Sequence, residues 1–253
     1  FGKISTGQTN AGDECSGFCY NIRLQMPTST APSLADETYH AIRERVATGH
    51  WAPGTRLVNR KLGEELGVSM VPVREALNRL ASEGLVEHVP GAGAFVRRLN
   101  RKQIVQLYAL REQLECFAAR EAAARIRPDQ LSQLERLCED WAVLLERIRG
   151  SKSQSATPAV LRRWLDNDLK FHRVLIEAAD NPWLTKTVMN LRILSVVVRN
   201  KPGMFPLDSA ERTHHGHVGL LEALQKGSAT KAEKLMRQHM ADGQEFILNH
   251  LEE

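Results

Sequence analysis

Four side chains in the second half of the chain have the chemistry and the placement to share a cation. Asp168 and His172 stand one helical turn apart in a D-x-x-x-H segment, on the face marked by Leu165, Leu169, Leu175, Ile176 and Ala179. His217 falls in line with Leu220, Leu221 and Leu224, and His239 with Leu235, Met236, Met240 and Phe246. A polar residue on an apolar stripe turns inward. One inward histidine is most simply a buried imidazole bonded to a neighbour. An aspartate and three histidines are harder to place, because each costs several kcal/mol if desolvated without a partner. One shared divalent cation removes that cost for all four, and imidazole with a single carboxylate suits zinc foremost, then nickel, iron or manganese. His214 precedes His217 by three residues and competes with it; His217 is preferred because it begins the clean apolar stripe. Arg111 lies on the line of Ile104, Leu107, Tyr108, Leu114 and Ala118. It is expected to face the same interior as an unpaired cation, suited to a bidentate grip on the carboxylate of a small acid.

Helices must carry these groups. From residue 101 onward Ala, Leu, Glu and Arg dominate, and the apolar spacing predicts helices over 102–126, 129–149, 158–180, 182–200, 208–226 and 228–250. Residues 150–158 read as a polar loop, Asn181 as a cap before Pro182, and 202–206 as a second break. Connections this short imply an antiparallel bundle.

The first half carries a different pattern. Ser33 is a fitting N-cap for a helix with Asp36 and Glu37 in its first turn and a stripe of Leu34, Tyr39, Ile42 and Val46, stopped at Gly49. Over residues 55–96 a short helix ends at Gly67, and a second runs from about Met70 to Glu83 and closes at Gly84. Apolar runs at 85–89 and 94–96 then flank Pro90-Gly91-Ala92-Gly93. Helix, turn, helix and a small hairpin make a winged helix-turn-helix, whose second helix enters the major groove of DNA. Leu57, Leu62, Leu66, Val73, Leu77, Leu80 and Leu85 would supply its core. Ser69, Met70, Val71 and Arg74 then face base edges, with Arg74 matched to guanine O6 and N7. Arg60 reaches a base edge or a phosphate. Arg56, Lys61 and Arg79 suit phosphates, and Gly91 and Gly93 let the wing backbone approach the minor groove. The basic run Arg97, Arg98, Arg101, Lys102 is either a solvated connector or a further phosphate contact.

The whole chain has 253 residues, 42% hydrophobic and 25% charged, with a formal net charge of +4. That rules out global disorder and permits an anionic partner. No apolar run approaches the ~18 residues a membrane helix needs, and no secretory signal is visible, so a cytoplasmic, nucleoid-associated protein is expected. Cys116 and Cys138 fall in helical patterns as small buried hydrophobes, whereas Cys15 and Cys19 lie in a Gly/Ser/Thr-rich stretch. Residues 1–33 read as a mobile extension, with Met26 a candidate natural start.

The segment GTRLVNRKLGEELGVSMVPVREALNRLASEGLVEHVPGAGAFV resembles the head of the GntR family of bacterial transcription regulators. The family's usual Arg-Thr after the serine is replaced here by Met70-Val71, which implies contacts to thymine methyl groups and an altered operator half-site. DLKFHRVLIEAADNPWL and HVGLLEALQKGSATKAEKLMRQHM resemble the helical (FCD) ligand-binding domain of the family's FadR-type branch. That resemblance implies a metal held by Asp168, His172, His217 and His239. It also implies a small carboxylic acid as effector, with Tyr108, Arg111 and Glu115 matching the branch's Tyr-x-x-Arg-x-x-x-Glu pattern. The expected architecture is mainly α: a winged helix-turn-helix over 34–98 and an all-α antiparallel bundle over 102–250 that binds metal and effector and dimerises. The expected function is a homodimeric regulator, most simply a repressor, on a near-palindromic double-stranded operator. The rival is a metal-dependent hydrolase with a DNA-binding appendage, which would need a general base, with Glu115 and Glu222 as candidates.

Overall fold

The computed structural model describes residues 33–199 and 205–251. The N-terminal stretch with Met26, Cys15 and Cys19, and most of the 202–206 break, lie outside the described residues. The first helix, α1 (Leu34–Ala47), starts where Ser33 caps it: the Ser33 hydroxyl accepts from the Asp36 amide at 3.1 Å, and Asp36 accepts in return. Leu34 does not join the apolar stripe. It is 54% exposed, and Thr38, Tyr39, Ile42 and Val46 form the buried face.

A two-residue strand, β1 (Arg56–Leu57), precedes α2 (Asn59–Leu66). Gly67 at φ 68° makes the left-handed turn that only glycine adopts freely, and α3 (Met70–Ser82) follows. The strands β2 (Val86–Val89) and β3 (Gly93–Val96) form the wing, and β1 adds to it in the antiparallel order β1-β3-β2, with Arg56 opposite Phe95 and Val86 opposite Val96. Leu57, Leu62, Val73, Leu77, Leu80 and Leu85 share one core with α1, and Leu66 packs partly buried against it.

The bundle comprises α4 (Arg101–Arg125), α5 (Pro128–Arg149), α6 (Pro158–Glu177), α7 (Pro182–Arg199), α8 (Leu207–Gln225) and α9 (Ala229–Asn249). Asn100 caps α4 in a reciprocal box with Gln103, Thr157 caps α6, and the Asn181 side chain accepts from the Leu184 amide at 3.1 Å. Ala118, Ala119, Ala122 and Ala123 are buried on α4, so neighbouring backbones come close, while Trp141, Trp164 and Phe171 fill the wider space between α5 and α6. Cys116 and Cys138 are buried and free; burial pushes their thiols up to about 11 and about 12. Among the described residues, no helix is long and apolar enough to cross a membrane.

Candidate metal centre and nucleic-acid interface

α6, α8 and α9 deliver their inward polar groups to one point. Asp168, His172, His217 and His239 are all buried, and one ligand atom from each lies within 4.8 Å of the others. The three histidines meet through the same nitrogen: His172 Nε2 stands 3.1 Å from His239 Nε2 and 3.3 Å from His217 Nε2. Asp168 Oδ1 lies 3.6 Å from His217 Nε2. For metal–nitrogen bonds of about 2.0–2.1 Å, ligand atoms sit roughly 3.3 Å apart around a tetrahedral ion and roughly 2.9 Å around an octahedral one. The two histidine spacings of 3.1 and 3.3 Å fall within that range and the 3.6 Å carboxylate contact lies above it, so the donor set matches a divalent cation in kind and needs only a small inward movement to match it in size. Burial lowers the pKa of His172, with Arg192 adding to it, and holds that of His217 well below the usual range. Burial therefore favours the neutral form of His172 and His217, the form that ligates metal.

Each ring is held in place. His172 Nδ1 lies 3.0 Å from Glu115 Oε2 on α4, the carboxylate–imidazole pairing that turns Nε2 toward a metal. His217 is fixed by packing instead: it stacks on Trp141 at 4.0 Å between ring centroids and meets Phe171 edge-on at 4.7 Å. His239 stacks against His172 at 5.1 Å between ring centroids and meets His217 edge-on at 4.5 Å. His214 is not part of the group. It is half-buried and bonds to the Cys138 backbone, which leaves His217 as the α8 member.

Around these candidate ligands runs a buried ionic chain, of which helical spacing shows only the Arg111–Glu115 pair. Arg111 was expected to be unpaired and is not. Its Nε donates to Glu115 Oε1 at 2.8 Å and its Nη1 to Ser195 Oγ at 2.8 Å. Glu115 lies one turn along the same helix and fills the guanidinium that an incoming acid was to fill. Burial alone would raise the Glu115 pKa, but Arg111 and Arg192 hold it well below the usual carboxylate range. Arg192 on α7, which no sequence motif singles out, joins the two carboxylates: it donates to Glu115 Oε2 at 2.5 Å and to Asp168 Oδ2 at 2.6 Å. That second bond leaves the other oxygen, Oδ1, on the histidine side. The available signal was a single arginine inside the apolar run from Val188 to Val198.

A cavity opens beside the quartet, bordered by Tyr108, Arg111, Arg192, Arg212, His239 and Phe246. The Arg111 guanidinium lies over the Tyr108 ring at 4.7 Å. Neither candidate general base is poised for proton transfer: Glu115 is locked among cations, and Glu222 is an exposed partner of Lys231 at 3.9 Å.

At the other end, α3 presents two faces. Met70 (59% exposed) and Val71 (53%) project from its first turn with Arg74, while Pro72 and Val73 turn into the core. Ser69 precedes them and makes no side-chain capping bond. Arg56, Arg60 and Arg74 line one cleft between α3 and the wing, with His88 and Gly93. Arg60 pairs with Glu64 at 2.9 Å on the exposed surface, Lys61 is exposed, and Gly91 sits at the exposed wing tip with φ 73°. Arg79 faces elsewhere: it pairs with Asp36 at 2.9 Å and lies 3.7 Å over the Tyr39 ring, on the α1 side of the helix. In the basic linker, Arg98 donates to Pro53 O and Arg101 to Leu248 O, so both help fasten the structure.

Comparison with known proteins follows this division. Residues 34–96 match the model of the bacterial regulatory proteins of the gntR family, and residues 106–242 match that of the FCD domain. The chain is 28% identical over 212 residues to the HTH-type transcriptional repressor RspR of Escherichia coli K12, covering 83% of this chain and 87% of that one. It is 33% identical over 142 residues to the Nta operon transcriptional regulator of Aminobacter aminovorans, covering 56% and 62%. The solved structure of E. coli McbR/YncC superposes with a TM-score of 0.74 at 21% identity, over 86% of this chain and 98% of that one, a likeness of fold.

Proposed function

Since this chain belongs to the gntR family of bacterial regulatory proteins and carries an FCD domain, we propose that it is a cytoplasmic, homodimeric repressor controlled by a small carboxylic acid. The head, residues 34–98, reads a near-palindromic operator. Ser69, Met70, Val71 and Arg74 face the bases, and Arg56, Arg60, Lys61 and the wing at Gly91 face the backbone. Arg79 is assigned to the α1 contact instead. The domain of residues 102–250 holds a divalent cation, zinc foremost, through Asp168, His172, His217 and His239. It accepts the acid from the side of Tyr108 and Arg111. When bound, the cation supplies a positive centre that an acid's carboxylate can approach. Arg111 and Arg192 stay paired with Glu115 and Asp168 and keep those carboxylates neutralised at the edge of the cavity. The observation that carries this reading is the meeting of three Nε2 atoms and one carboxylate inside the same chain that carries the winged head. An acid that binds two conformations with unequal affinity would shift the heads between them.

The test has two parts. Elemental analysis of purified protein should find about one divalent ion per chain, lost in His172→Ala, in keeping with a ligand role. A thermal-shift screen of small carboxylic acids should then find at least one whose stabilisation disappears with chelator. Undiminished metal in His172→Ala overturns the ligand assignment. Sustained turnover of an acid by the zinc-loaded protein would instead favour the hydrolase.

A further inference from the structure

α7 touches the head with one face and the metal surround with the other. On the head side, Asn190 Oδ1 accepts from Arg43 Nη2 of α1 at 3.0 Å. Ile193, 3% exposed, belongs to the head's apolar core with Ile42, Val46, Leu80 and Leu85, and Leu194 packs against that core. Arg43 stands 3.8 Å from Glu83, the residue closing α3, and Glu83 also accepts from Tyr39 Oη at 2.8 Å. On the bundle side, Arg192 spans Glu115 and Asp168, and Ser195 accepts from Arg111. A line of polar contacts therefore runs from the end of the groove-reading helix, through Glu83, Arg43 and Asn190, along two residues of α7, to a candidate metal ligand.

We infer that α7 couples the metal and effector site to the DNA-reading head within a single chain, with Arg192 as the positioning residue at the site and Asn190 and Ile193 as the contacts in the head. This rests on the metal reading above. The physical reason is proximity inside a rigid element. Asn190, Arg192 and Ile193 lie within one turn of a hydrogen-bonded helix, so a shift imposed on Arg192 cannot leave its neighbours in place. Any ligand that draws Asp168 or Glu115 away from the Arg192 guanidinium imposes such a shift. At the far end a close-packed core receives it, and close-packed cores rearrange between discrete packings rather than deform smoothly. The competing route runs through the 97–101 linker into α4.

Amide hydrogen exchange on the full chain separates the routes. In chelator, Arg192→Gln should speed exchange in residues 39–46 and 83–86 of the head by about two- to thirtyfold, the range for coupling networks, and Arg192→Lys should restore much of the protection. Should Arg192→Gln fold poorly, Asn190→Ala, at a half-buried surface position, should loosen the same head segments and leave α4, α6 and α9 as in the native protein. Zinc alone should then slow exchange in the native head and in the bundle, but in Asn190→Ala only in the bundle. Head exchange that is indifferent to both substitutions in chelator overturns the inference, as does zinc protection of the head that survives Asn190→Ala. Failure of the native protein to take up zinc refutes the metal reading instead, and the chelator arm still decides the role of α7.

Discussion

Glu115→Gln tests the site more sharply than removal of any ligand. The substitution keeps size and shape and deletes one negative charge. In the native protein that carboxylate touches Arg111 at 2.8 Å, Arg192, and His172 Nδ1 at 3.0 Å, and the side chains of all four residues are at most 3% exposed. Two arginines would then share Asp168 alone, and the amide would turn its donor toward at least one of these donor groups. Removing one partner from a buried ion pair costs about 3–5 kcal/mol. For a chain of this size that lowers the melting temperature by roughly 6–20 °C. Loss of the group that orients His172 should also weaken zinc binding by about 10- to 100-fold. Urea denaturation followed by circular dichroism, with and without zinc, measures the first effect, and competitive zinc titration the second. The pH dependence supplies a signature. The Glu115 pKa is depressed in the folded chain, so its stabilisation is complete above the unfolded value near ~4.3 and is lost as pH falls through the folded one. Glu115→Gln should therefore flatten the acid limb of the stability curve. A variant less than about 1 kcal/mol weaker than the native protein, with the acid limb intact, would mean that the arginines do not depend on Glu115. The account of the site would then fail.

Four further outcomes are expected. Arg74→Ala should weaken binding to an operator selected from random duplexes by about 1–3 kcal/mol and relax preference at one base pair; unchanged preference removes it from the bases. Arg56→Ala should reduce the salt slope of DNA binding by about one, whereas Arg79→Ala should leave that slope alone and lower the melting temperature of the head, since its partners are Asp36 and Tyr39. His172 and His217 titrate below the ordinary histidine value of 6.5 because they are buried. Metal-free protein should therefore be fully stable above that value and lose stability as pH falls below it; a flat profile between neutrality and pH 5 would contradict their burial.

The quartet was legible because each member interrupts an apolar stripe at helical spacing, and spacing alone fixes which side of a helix a residue faces. The caps at Ser33 and Asn181 and the glycine turn at Gly67 were legible for a similar local reason. Pairings between helices were not. Nothing in the order of residues says that Arg192 will reach Glu115, 77 positions away, and an arginine in an apolar helix also reads as one that extends its charge to solvent. Glu115 was visible four residues after Arg111, yet which partner satisfies a buried cation depends on how the neighbouring helices close around it. Arg79 reads as a phosphate contact because a positive charge on the reading helix looks alike on either face; only the packing of α1 shows that its partners are Asp36 and Tyr39. β1 is two residues long and too short to display any period.

The buried chain of charges carries one last implication. Arg111 and Arg192 balance Glu115 and Asp168, and burial favours the neutral form of His172 and His217, so the charges of these paired groups cancel. A divalent ion entering such a balanced interior leaves it two charges in surplus, where water cannot spread them. Each arginine is already committed to a carboxylate. On the proposed reading, the appetite of this interior for an anion would originate in the ion rather than in the arginines, and the order of events would be the metal first, then the acid that discharges it.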